Sequence, residues 1–233
     1  MKHLIACALL VSVFPLFAHA TDTSEREKLD ARVSAARSTI DEIMSAPDKA
    51  IPDKIAHDAV CIGVVPGVVK GAFLVGAEYG QGVVTCRTAH GWSAPVFIRL
   101  AGGSFGFQIG GQGTDLVLVA VNQKGMQALL RDKFKIGADA SAAAGPVGRD
   151  AQAATDIEMK AELLTWSRSR GVFAGIDLSG ASISQNSRDT DDFYGASHPF
   201  EQILHGHVAP PAAARPFLGD VNKYFGRTAV ATK

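Results

Sequence analysis

Between Cys61 and Asn122 the chain is built from apolar and β-branched residues interrupted by glycine, in runs at 61–65, 71–79, 82–87, 94–100, 104–109 and 115–122. Short runs of that kind, joined by turn residues, indicate antiparallel β-structure. Gly80-Gln81-Gly82 and His90-Gly91 are expected as tight turns. Gly102, Gly103, Gly106, Gly110, Gly111 and Gly113 are too frequent for ordinary strand interiors and predict bulges or close backbone crossings that let the sheet curve.

Helical periodicity flanks this segment. Ser24-Glu25-Arg26-Glu27 has the Ser-x-x-Glu form of a helix start, and Leu29, Val33, Ala36, Ile40 and Ile43 then recur as one apolar stripe down to Met44. Pro47 is expected to end that helix and Pro52 to open a short second one through Val60. Gln123 to Lys133 reads as a helix with Met126, Leu129 and Leu130 on one side. From Asp156 to Arg170, Ile157, Met159, Ala161, Leu163 and Thr165 alternate with polar residues as in a strand, although Glu, Met, Lys, Ala and Leu favour helix; strand is the expectation. The sheet is expected to continue through 172–178 and 181–185 with a break at Gly180. Helical turns are expected at 189–194 and 201–204, a stiff connector at 210–216 and a short helix around 218–225. The fold class is α+β: a curved antiparallel, partly barrel-like β-sheet flanked by N-terminal, central and C-terminal helices.

Lys2 and His3 precede an apolar run, Leu4 to Phe17, that ends in Ala18-His19-Ala20, the order of a cleavable secretory leader with cleavage expected after Ala20. The run is about 14 residues, short of the roughly 20 that a membrane-spanning helix needs. Only three apolar residues precede Cys7, too few to make it a good lipid-acylation site. Removing 20 of 233 residues leaves 213, expected as a single domain over 21–233 with a loose C-terminal tail. The expected location is the periplasm, the periphery of the outer membrane, or the medium. The chain has 23 basic and 23 acidic residues, and losing Lys2 leaves a formal charge near −1, which argues against generic nucleic-acid binding. Any anionic partner must therefore be met by a local patch. Cys61 and Cys86 remain after cleavage. An oxidising compartment permits one disulfide around the 24 residues between them, worth about 3 kcal/mol, and the alternative is two separate buried thiols.

Three further stretches carry an unusual order of small residues, arginines and glycines: Lys135-Ile136-Gly137-Ala138-Asp139-Ala140 through Gly145-Pro146-Val147-Gly148-Arg149, Trp166-Ser167-Arg168-Ser169-Arg170-Gly171-Val172-Phe173-Ala174-Gly175, and Asp189-Thr190-Asp191-Asp192-Phe193-Tyr194-Gly195. Together with Cys61 to Gly76 upstream and Ile203-Leu204-His205-Gly206-His207-Val208 downstream, they resemble the SYLF domain, a lipid-binding module, in the same order over most of the chain. The resemblance implies sheet between Asp156 and Arg170, in keeping with the strand expected there. It also implies phosphoinositide binding in eukaryotes and, in some fungal members, actin binding and bundling. For an exported bacterial protein only anionic-lipid contact transfers, with phosphatidylglycerol or cardiolipin as the expected ligand. The resemblance brings no catalytic residues.

Arg131, Lys133, Lys135 and Arg149 form the expected headgroup site, with Lys70, Arg168 and Arg170 as further candidates, because guanidinium forks and ammonium groups are the usual phosphate donors. Phe134 either inserts at the headgroup boundary or belongs to the core. Arg168 and Arg170 either grip a phosphate or pair internally with Asp177, Asp189, Asp191 or Asp192. The N-terminal helix either lies in the membrane interface or packs on its own sheet. Gly102 to Gly113 lacks the lysine of a phosphate loop, and no Gly-x-Ser-x-Gly sequence occurs. His205 with His207, and Asp189 with Asp191 and Asp192, are poor metal sets. No enzyme, cofactor or metal is expected. The expected function is a non-enzymatic exported protein that binds anionic phospholipid headgroups, and the alternative is a structural or protein-interaction module of the envelope whose partner is unknown.

Overall fold

Apolar runs in a sheet can be continuous only where both faces are covered. That is the arrangement in the computed structural model, which describes residues 18–45, 51–73, 75–105, 113–146, 161–169, 172–175, 178 and 180–226. Among these, ten strands form one curled half-barrel: β1 Cys61–Phe73, β2 Val75–Thr88, β3 Gly91–Trp92, β4 Val96–Phe105, β5 Thr114–Ala120, β6 Lys133–Lys135, β7 Ala142–Ala144, β8 Leu163–Ser169, β9 Val172–Gly175 and β10 Ser182–Gln185. The order is β6-β10-β4-β2-β1-β5-β8-β7, with β3 on β2 and β9 on β8. All pairs are antiparallel except β7 with β8. Six α-helices accompany it among the described residues: α1 Ala18–Ser45, α2 Asp53–Asp58, α3 Gln123–Leu130, α4 Ser187–Tyr194, α5 Phe200–Leu204 and α6 Arg215–Phe225.

The two faces have separate cores. Ile62, Val64, Val83, Phe97, Val117, Val119, Leu164 and Trp166 pack with the α1 stripe and with Phe193, Phe217, Val221 and Phe225. Cys61, Val65, Val84, Cys86, Ile98, Leu100, Leu116 and Leu118 point the other way, onto Met126, Leu129, Phe134, Phe200, Ile203 and Leu204. Cys61 and Cys86 are directly opposed on β1 and β2 and are joined by a disulfide, with Cα atoms 4.0 Å apart.

Several boundaries differ from expectation. Gly80-Gln81-Gly82 is no turn, because it lies inside β2, paired throughout with β4. Its glycines answer a bulge in the neighbouring strand, where the register of β1 shifts between Val64 and Val69 around Pro66 and Gly67. Gly67 takes φ 61°, and a Cβ on Gly82 would stand 2.0 Å from the Val64 carbonyl oxygen. The expected runs at 61–65, 71–79 and 82–87 thus merge into one long hairpin. The turn falls at Ala89-His90, with Gly91 opening β3 at φ 123°, and Gly180 breaks the sheet at φ 93°. Helix α1 begins six residues before Ser24, at Ala18, and α3 ends at Leu130 so that Lys133 begins a strand. Instead of a connector through 216, a 3-10 turn at Ala212–Ala214 leads into α6 with Pro216 in its first turn, where a missing N–H leaves no hydrogen bond unmade. Strand β8 bears out the strand reading from Leu163, while Ile157 and Met159 lie outside the described residues, as do residues 1–17 of the leader, Pro47 and the last residues of the tail.

Candidate functional site

Alternation along β6 sorts its side chains. Lys133 and Lys135 are exposed on one face, and Phe134 between them is 1% exposed within the second core. Phe134 is therefore a core residue and does not reach a headgroup boundary. Arg131 is exposed in the turn that ends α3, its N–H donating to the Ala128 carbonyl at 3.2 Å. Among the described residues, no carboxylate comes within ion-pair distance of Arg131, Lys133 or Lys135. The nearby Asp139 carboxylate accepts the backbone N–H of Lys135 at 2.7 Å.

Register carries this edge across the sheet. Lys135 lies opposite Ser182, Ser182 opposite Ala101, Ala101 opposite Tyr79, and Tyr79 opposite Val69. Directly opposed residues share a face, so these five form one row on the α1 side. Val69 and Tyr79 are the exposed large hydrophobics among the described residues, at 54% and 50%. Two positions along, Lys133, Ser184, Arg99 and Gln81 form a second row. There the helices begin to cover the sheet. Arg32 of α1 donates to Gln81 Oε1 at 2.8 Å and pairs with Asp189 at 2.5 Å, and Arg99 donates to Asn186 Oδ1. Neither row contains an acid.

Of the other candidate cations, Arg168 does not join this group. Arg168 is a structural ion-pair residue: it holds Glu42 of α1 and Asp115 of β5, the latter at 3.2 Å. Asp115 also accepts the Gly67 N–H at 2.9 Å, so one guanidinium ties α1, β8, β5 and the bulge of β1 together. Of the expected aspartates, Asp189 is held by Arg32 and Asp192 lies 3.9 Å from Arg188, while Asp177 lies outside the described residues. Replacing Arg168 with Ala should lower stability by about 1–2 kcal/mol, between the worth of exposed and of buried pairs, while leaving binding to anionic vesicles unchanged. Urea unfolding and vesicle flotation of the same variant check both halves. Lys70 sits opposite Glu78 in the ladder, but its side chain, like Arg149 and Arg170, lies outside what is described.

The α1 alternative is resolved by packing. Leu29, Val33, Ala36, Ile40, Ile43 and Met44 are all 5% exposed or less, so the apolar stripe is consumed by the first core and cannot also face lipid. Among the described residues no helix is long and apolar enough to cross a membrane, and no three His, Cys, Asp or Glu side chains cluster as metal ligands. Missed by sequence reasoning were Tyr79, Val69, Ala101 and Arg99, which meet Lys133 and Lys135 only through cross-strand pairing.

The family model described as Ysc84, Las17-binding protein actin regulator, matches residues 101–224, a little over half of the chain. SH3 domain-containing YSC84-like protein 1 of Rattus norvegicus is 33% identical over 182 residues, 77% of this chain and 53% of that protein. Its Xenopus laevis counterpart is 34% identical over 174 residues, 73% of this chain and 52% of the relative. LAS seventeen-binding protein 3 of Saccharomyces cerevisiae is 31% identical over 175 residues, 73% of this chain and 38% of the relative. The chain spans about half the length, or less, of these curated relatives. The family description names a binding protein and regulator, not an enzyme.

Proposed function

The chain belongs to the Ysc84 family, the family of the SYLF domain, and on that premise we propose that it is a non-enzymatic protein that binds anionic phospholipid headgroups at a membrane surface of the cell envelope. The observation that carries this reading is the exposed edge of β6, where Lys133 and Lys135 share a face, Arg131 stands beside them, and none is ion-paired among the described residues. Phosphate headgroups suit such an edge because an unpaired ammonium loses no partner on binding one. The leader-like Lys2 to Ala20 segment supports export, and a disulfide at Cys61 and Cys86 suits an oxidising compartment.

Each basic residue near an anionic surface contributes about 1 kcal/mol, so reversing two of them should weaken binding at least roughly 30-fold. The mature protein, without residues 1–20, is expected to float with vesicles of phosphatidylglycerol at low salt, and Lys133→Glu/Lys135→Glu to remain behind. Equal flotation of both proteins would remove the β6 edge as the site.

The family description favours a second reading, a protein-interaction module. Relatives are named for binding Las17, and on this reading the same cationic edge would meet an acidic protein surface. A mature protein indifferent to anionic vesicles at low ionic strength would favour it.

A further inference from the structure

Among the described residues, the large hydrophobic side chains left exposed on this sheet lie together at the far end of the α1 side. Val69 and Tyr79, 54% and 50% exposed, are cross-strand partners on β1 and β2. They continue outward the row that starts at Lys135, and Ala101 between them and the cations is exposed as well. Helix α1 protects only the adjacent row, where Arg32 reaches Gln81. From Lys135 to Val69 the row crosses four strand spacings, about 19 Å at ~4.8 Å each. One face therefore presents an ammonium at the sheet edge and an aromatic and an aliphatic side chain farther along, beyond the reach of the covering helices.

We propose that Val69 and Tyr79 form an insertion patch that enters the headgroup–acyl boundary of an anionic bilayer while Lys133 and Lys135 hold phosphates at the sheet edge. The inference rests on the headgroup reading above and adds the apolar half of the contact. Tyrosine suits the boundary because its ring is apolar and its hydroxyl stays wet, and lysine stems can lie along an apolar surface with the charge in the headgroups. Charge decides the occupant. The two rows carry Lys135, Lys133 and Arg99 and no acid, and the Asp139 carboxylate beside them already accepts the Lys135 N–H, so a second copy of this face would bring more cations than carboxylates, whereas an anionic bilayer supplies charge along the whole edge.

The test uses the mature protein and vesicles mixing phosphatidylglycerol with phosphatidylcholine, brominated in their acyl chains. Tyr79→Trp should shift its emission to the blue and be quenched by the bromines, measured against the native chain, whose Trp166 is buried and whose Trp92 is partly buried against the first core. Val69→Ser/Tyr79→Ser should weaken vesicle binding roughly 10-fold, from the apolar area removed, with only a small drop in thermal midpoint because both side chains are about half exposed. Vesicle binding that survives this double substitution, with the indole of the Tyr79→Trp variant unquenched, overturns the insertion and leaves the headgroup reading standing. A native protein that ignores the vesicles overturns both. If the double substitution instead abolishes a dimer, the occupant is a second copy and the insertion is likewise overturned.

Discussion

Replacing Trp166 with Ala is expected to lower stability by about 3–5 kcal/mol, the range for deleting a fully buried large aromatic. Trp166 is 0% exposed in the middle of β8 and faces the first core with Leu164 and Val117. Its neighbourhood is shaped to the ring. The indole N–H donates to the Pro146 carbonyl at 3.2 Å, and a Cβ on Gly145 would stand 2.0 Å from the ring. Truncation therefore leaves a cavity and a carbonyl that loses its donor, and the backbone around 145 has already closed on the site, so relaxation is limited. Gly145→Ala should destabilise by a different route, overpacking against the same ring, by roughly 1–3 kcal/mol. Urea unfolding of the two variants checks the pair. A loss below about 1 kcal/mol for Trp166→Ala would mean that this part of the core collapses freely, contrary to the packing described.

Removal of the Cys61–Cys86 bond is expected to cost about 3 kcal/mol, the chain-entropy value for a loop of this length. The two residues are already opposite one another in the β1–β2 ladder, and both are 0% exposed. The bond thus adds little that the folded strands lack, and acts chiefly by limiting the unfolded chain. Cys61→Ala/Cys86→Ala should keep the native spectrum and vesicle binding while its urea midpoint falls, and the native protein unfolded with a reductant should match it. A midpoint that does not move would show that the unfolded chain is restrained by something else.

Much of this architecture is written in local pattern. The α1 stripe from Leu29 to Ile43 is buried residue for residue, because helical periodicity reports a face without knowledge of what covers it. The strands of 61–122 are legible in the same way. The turn expected at Gly80-Gln81-Gly82 is a different case. Those glycines serve a bulge at Pro66-Gly67 on the neighbouring strand, and no signal within β2 itself distinguishes a turn glycine from one that makes room for a partner. Arg168 shows the same limit. Its chemistry left a phosphate grip and an internal pair both open, and Glu42 and Asp115, which it holds, lie 126 and 53 positions away in sequence and are brought to it by topology. The cationic edge was half legible. The spacing of Lys133 and Lys135 around Phe134 marks one face of a strand, whereas the continuation through Ser182 and Ala101 to Tyr79 and Val69 depends on four strand pairings that only the folded sheet supplies.

On the proposed function, an almost neutral chain meets anionic lipid through one cationic, apolar-tipped face of its sheet. Flotation of the mature protein with phosphatidylglycerol vesicles across a salt series tests it most directly. Exposed charges separated by more than about 10 Å are screened near 0.1 M salt, so binding should be strong at low ionic strength, fall steeply as salt rises, and be lost with pure phosphatidylcholine. Absence of binding at the lowest salt, or equal binding to both lipids at every salt concentration, would contradict it.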